Sequence, residues 1–373
     1  MTRRPRWLTA AANRRARTKD PHSHQTSRQT LTAERRDRMR QAAHLLLPAI
    51  AYGDAAGAPF EGEPPRRQRQ RKLTPYRDGM FGPSAAGSWT DDTQLSVALT
   101  RALIGASGFN LKRIAHEHAA QLAVTPKKAL GTTILVRGWG ASTTAAVDQY
   151  RRGTPPHRTG SPGGAGNGVL MKMAPLAWWH AAHGTGEEQA LKEWDALTTF
   201  THDSDVARVC TRVHGTVLRH LLENTHTSPT ELMDRALSAA HHHEELLGAP
   251  PHTSEELEAL TQLTPGACEK RLRKLVCRAS RHSDKLYGFY APETLAVVYG
   301  AYLQWGASDR LAEIIYGAIS LGGDCDSTGS MIGALAVCAA GGELEPPEDL
   351  DVVAQIDDLH TLSQQLAVAG LPT

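Results

Sequence analysis

Cysteine is sparse in this 373-residue chain: Cys210, Cys268, Cys277, Cys325 and Cys338, none in a Cys-x-x-Cys pair. An odd, scattered set does not suggest a disulfide framework, and no Cys/His set suits zinc. A reducing cytoplasm is the expected compartment. Long hydrophobic runs are missing too. No stretch approaches the roughly 18 apolar residues that span a bilayer. The longest, such as 333–340, are short and rich in alanine. No membrane partner is therefore expected. Convincing strand alternation, internal repeats and a linker between self-sufficient halves are also absent.

The chain has little net charge, +2, but it is unevenly placed. Residues 1–40 hold 12 Lys/Arg against 3 Asp/Glu, a net +9, which leaves the remainder near −7. Arg3 and Arg4 resemble a twin-arginine start, yet residues 7–12 are too short and polar for a leader core. Residues 1–39 read as a basic, disordered extension. The sharper reading is an arm for an acidic partner, the one segment suited to nucleic acid.

What is present is helix after helix. Apolar positions recur at helical spacing in residues 41–52, after Thr90-Asp91-Asp92, and in 203–222, 228–246, 268–281, 291–305, 309–319, 327–340 and 350–367. Residues 62–88, 153–168 and 248–266 read as loops. The expected fold is all-α: a compact single-domain multi-helix bundle over 40–373.

Two acidic segments stand out. Thr90-Asp91-Asp92 opens one helix, and Asp324-Cys325-Asp326-Ser327 follows two glycines and opens another. Either alone serves as a helix N-cap. A cap, however, needs one short polar residue, and four clustered carboxylates repel unless a cation neutralises them. Oxygen ligands suit Mg²⁺ or Mn²⁺, and two clusters suggest two ions. Three weaker segments accompany them. Residues 53–61 combine small residues, which permit close helix approach, with Glu61. Residues 163–168 form a glycine loop whose N–H groups could receive phosphate, or a plain connection. Thr201-His202-Asp203 precedes a helix, and His202 alone reads as a capping or packing residue.

In this order the five segments resemble the ADP-ribosylglycohydrolase family. The resemblance runs from Gly53-Asp54 through Trp89-Thr90-Asp91-Asp92, Gly166-Asn167-Gly168 and Thr201-His202 to Gly322-Gly323-Asp324-Cys325-Asp326-Ser327. It implies a helical bundle that hydrolyses the glycosidic bond between ADP-ribose and an acceptor, with arginine the favoured acceptor. It implies two Mg²⁺ (or Mn²⁺), one on Thr90, Asp91, Asp92 and Asp326, the other on Asp324, Asp326 and Ser327. Glu61 would stand near the second ion, and Glu61, Asp91 or Asp92 would take the proton from water. Gly166, Asn167 and Gly168 would line the phosphate and ribose path, with His202 near the distal ribose. Lys172 replaces a more usual arginine, so a bidentate phosphate clamp would become a point charge. The implied partners are an ADP-ribosylated protein or a small ADP-ribose conjugate. Alternatives are an immunity protein against an ADP-ribosylating toxin and a non-catalytic ADP-ribose-binding protein.

Overall fold

The computed structural model describes residues 32–67, 69–78, 81–130, 133–225, 227–280 and 286–371. The first part of the basic extension, residues 1–31, lies outside the described residues. The chain forms helices α1 (Ala33–Gly57), α2 (Asp91–Ala106), α3 (Leu111–Val124), α4 (Ala141–Arg151), α5 (Ala174–His183), α6 (Glu187–Thr201) and α7 (Asp205–Glu223). It continues with α8 (Pro229–Leu247), α9 (His252–Glu258), α10 (Glu269–Val276), α11 (Ala291–Trp305), α12 (Leu311–Ile319), α13 (Cys325–Ala340) and α14 (Ile356–Gly370). Strands are few and short. β1 (Tyr76–Asp78) pairs antiparallel with β2 (Gly82–Ser84), and β3 (Lys127–Leu130) with β4 (Thr133–Val136). β5 (Ser161–Pro162) runs parallel to β6 (His202–Asp203). The all-α bundle expected from periodicity is what the chain forms.

Helices α1 and α13 are the spine. Met39, Leu46, Leu47, Ile50 and Tyr52 of α1 are buried, as are Ile332, Leu335 and Val337 of α13. Their contact is backbone to backbone. A Cβ added at Gly53 would stand 2.0 Å from the Gly329 carbonyl oxygen, and one at Gly57 would stand 2.1 Å from that of Cys325. Glycine is thus required by close approach, and the small residues of 53–58 do what their size suggested.

Some elements depart from the periodic reading. Helix α1 begins at Ala33, inside the segment read as extension. Its early basic residues are not merely solvated: the Arg38 guanidinium donates to the carbonyls of Leu221 and Leu222 at the end of α7 and of Ala339 near the end of α13. A cation at carbonyl-rich helix ends is favourable. The stretch 248–266, read as a surface connection, contains α9, whose Thr253, Ser254 and Leu257 are buried. The carboxylate of Glu244 accepts from the N–H groups of Thr253 and Ser254, so a charge from α8 caps a helix too short to show a period. Among the described residues, no helix is long and apolar enough to cross a membrane.

Candidate active site

The site forms where the starts of α2 and α13 meet the end of α1. Gly322 and Gly323 take φ of +80° and +76°, a left-handed turn that only glycine adopts readily. That turn delivers Asp324 to the start of α13. The Gly323 N–H donates to the Glu63 carbonyl at 2.9 Å, and the Gly62 N–H to the Gly323 carbonyl at 2.8 Å. These two bonds hold the loop after α1 beside the turn and set Glu61 near Asp324.

Carboxylate oxygens converge here in two triads, Asp54–Asp92–Asp326 and Glu61–Asp324–Asp326, each within 4.8 Å. Asp326 belongs to both. Asp91 lines the same cleft without joining either triad. Asp54, Asp91, Asp92, Asp324 and Asp326 are buried, whereas Glu61 is exposed. Neutral donors reach them. Ser330 Oγ donates to Asp92 at 2.7 Å and Ser327 Oγ does so at 3.4 Å. Asn167 Nδ2 donates to Asp324 at 2.8 Å. The Ser327 N–H donates to Asp326 at 3.0 Å, and Thr90 Oγ1 stands 3.4 Å from the other Asp326 oxygen.

Burial raises the pKa values of Asp91, Asp92 and Asp326 well above the usual carboxylate range, and repulsion among the acids adds to it. Lys172 is the nearby cation, but it is buried and lines no part of the cleft. Among the described residues its Nζ has no hydrogen-bond partner, and it lies 5.8 Å from the Phe200 ring centroid. Burial pulls it down to about 7, against the attraction of Asp91. The phosphate-facing charge expected at Lys172 is therefore corrected: the side chain points into the core beneath the site.

Above the carboxylates lies a cavity of about 480 Å³. Glu61, Asp91, Asp92, Asp324, Asp326 and Ser327 form its acidic side, and Gly166, Asn167, Gly168 and His202 face it with Phe289 and Tyr290. Thr90 lies just behind, 7 % exposed. The glycine loop commits some N–H groups internally, Gly163 to the Asp203 carbonyl and Gly164 to that of Ser161. His202 ends α6, with Nδ1 2.8 Å from Thr201 Oγ1. Burial, and then Lys172, pull His202 down to about 3, so the ring is neutral.

A family model of the ADP-ribosylglycohydrolases matches residues 32–371. The chain belongs to this family. An ADP-ribosylarginine hydrolase Tri1 of Pseudomonas putida (strain GB-1) is 24% identical over 375 residues, covering 97% of this chain and 82% of that protein. An uncharacterised protein of Archaeoglobus fulgidus is 24% identical over 289 residues, covering 77% of this chain and 83% of its own length. A solved structure described as an ADP-ribosylglycohydrolase-related protein complex superposes with a TM-score of 0.65 at 23% identity, over 90% of this chain and 99% of the other. That likeness carries the fold.

As an ADP-ribosylglycohydrolase the chain is a hydrolase, and its acidic cluster is of a kind that can hold a metal ion. Sequence reasoning missed Asp54 and Ser330. Asp54 sits in a quoted motif, but nothing local says that its side chain reaches α2. Ser330 lies one helical turn after Ser327, on the same face of α13, and that spacing is the signal that could have found it. Asn167 was expected on the substrate path; its amide is engaged by Asp324.

Proposed function

We propose that this ADP-ribosylglycohydrolase is cation-dependent and cleaves the N-glycosidic bond of ADP-ribosylarginine, releasing ADP-ribose. The observation that carries the cation is the shared carboxylate: Asp326 stands beside Asp92 on one side and beside Glu61 and Asp324 on the other, in the cleft that Asp91 also lines. The donor set fits a hard ion, because it offers carboxylate and hydroxyl oxygen from buried groups. Thr90, Asp91, Asp92 and Asp326 would hold one ion, and Asp324, Asp326 and Ser327 the other. Two Mg²⁺, or Mn²⁺, would supply Lewis acidity to the sugar hydroxyls and the attacking water.

The rest follows from the chain's own groups. Carboxylates around the anomeric carbon stabilise an oxocarbenium-like transition state. Glu61, exposed at the cleft and beside Asp324, is the group best placed to exchange a proton with water, with Asp91 and Asp92 as the other candidates. Asn167 holds Asp324 in place. Neutral His202 closes the wall beside Gly166 and Gly168 and leaves the phosphates to backbone N–H groups. Arginine as the acceptor is supported by the similarity to the ADP-ribosylarginine hydrolase of Pseudomonas putida.

The test is a panel of substrates carrying ADP-ribose on arginine, serine or a small alcohol, each with Mg²⁺, Mn²⁺ or a chelator. Release from arginine that stops with the chelator is expected. Release unaffected by the chelator contradicts the cation, and release from serine alone contradicts the acceptor.

A further inference from the structure

Asp54 has no part in the mechanism above, yet its carboxylate accepts from four donors. It is fully buried. It accepts from the Thr90 N–H at 2.8 Å, Thr90 Oγ1 at 2.9 Å, the Thr93 N–H at 3.0 Å and Thr93 Oγ1 at 2.6 Å. An ionised carboxylate offers about four lone-pair sites. Four donors fill them. Asp54 oxygens lie within 4.8 Å of those of Asp92 and Asp326, but they have no capacity left for an ion.

The Thr90 hydroxyl decides what this does. It carries a single hydrogen. The Asp54 oxygen is 2.9 Å away and the Asp326 oxygen 3.4 Å, so the hydrogen goes to Asp54. Thr90 Oγ1 is left facing Asp326 as an acceptor against an acceptor, an arrangement that a cation between them stabilises. The N–H bonds act on the same turn. Thr90 is the N-cap of α2, but its side chain makes no cap bond to its own helix. Asp54, from α1, binds the free N–H groups in its place and so fixes the turn that carries Asp91 and Asp92.

We propose that Asp54 is a positioning residue: it takes the Thr90 hydroxyl hydrogen and clamps the start of α2, and it is not itself a metal ligand. This rests on the cation-dependent reading of the site. Asp54 acts through Thr90, and the Gly53–Gly329 contact sets how far its helix stands from α13.

The test uses Mn²⁺ as probe, with binding to the full chain followed by electron paramagnetic resonance. Asp54→Asn keeps the size but sets an NH₂ group against N–H and O–H donors. It should weaken Mn²⁺ binding by about tenfold to a hundredfold, the usual effect of losing a group that orients a ligand. Circular dichroism and thermal melts without the ion should show the variant folded, and saturating Mn²⁺ should then restore most of the turnover; the ion-free fold is the control, because an ion that binds the native state also stabilises it. Thr93→Val, which removes one donor from Asp54 and touches no ligand, should weaken binding by a smaller factor, and the two effects should be non-additive when combined. Should Asp54→Asn fail to fold, Thr93→Val decides alone. Wild-type Mn²⁺ affinity in the folded variants overturns the positioning role and leaves the cation reading intact. A wild-type protein that takes up no Mn²⁺ overturns both.

Discussion

Ser330 on α13 donates its hydroxyl to Asp92 at the start of α2 at 2.7 Å, joining positions 238 residues apart. The bond ties the two acidic motifs together before any ion arrives. Removing it should loosen Asp92 without removing a ligand. Ser330→Ala is expected to weaken Mg²⁺ or Mn²⁺ binding by roughly tenfold, measured by titration calorimetry, with secondary structure unchanged by circular dichroism. Unchanged affinity would mean that Asp92 is oriented by other groups.

Asp326 is central to both triads, and its substitution should separate function from stability. Asp326→Asn is expected to lose turnover by more than a hundredfold, beyond the usual loss for an orienting group. The ion-free variant should melt higher than ion-free wild type, because a buried carboxylate under repulsion is replaced by a neutral amide. A gain on the order of 1 kcal/mol is expected. Thermal melts with chelator present check this, and a lower melting temperature would contradict the repulsion.

Cation binding should depend on pH in a defined direction. Burial and mutual repulsion hold Asp91, Asp92 and Asp326 well above ordinary carboxylates, so the ion-free protein keeps protons there at pH values where the unfolded chain has lost them. An arriving ion must displace those protons. Affinity should therefore rise as pH rises and fall as pH is lowered. Calorimetry in two buffers of different ionisation enthalpy should detect proton release on binding, and proton uptake would contradict the assignment.

The α1–α13 contact is a backbone contact, so it should not tolerate a methyl group. Gly57→Ala would place Cβ 2.1 Å from the Cys325 carbonyl oxygen, and a backbone atom cannot swing aside as a side chain can. A loss of about 1–3 kcal/mol is expected from urea unfolding. Cation affinity should fall with it, since the same shift moves the loop bearing Glu61 away from Asp324. Wild-type stability would show that the two helices can separate freely.

Much of this was legible in the chain. The periodic apolar positions of α2, α7, α8, α11 and α13 mark long helices, and Thr-Asp-Asp and Asp-x-Asp-Ser each fall at a helix start, where short polar residues satisfy free N–H groups. Other parts were not legible, for physical reasons. Helix α9 is capped by Glu244 of another helix, a long-range interaction that leaves no local pattern. Arg38 looks like part of a basic tail because its partners are carbonyls far along the chain. Lys172 follows Met171 of the cleft wall, but sequence adjacency does not say which side of the turn faces the core. Asp54 likewise acts across helices, and only tertiary packing shows what it holds.

The most direct test is a crystal of the protein grown with Mn²⁺ and measured for anomalous scattering at the manganese edge. The expected result is two peaks in the cleft, both within bonding distance of Asp326, one beside Asp92 and Thr90 and the other beside Asp324. A map with no peak between α2 and α13, or with ions bound only elsewhere, would contradict the account.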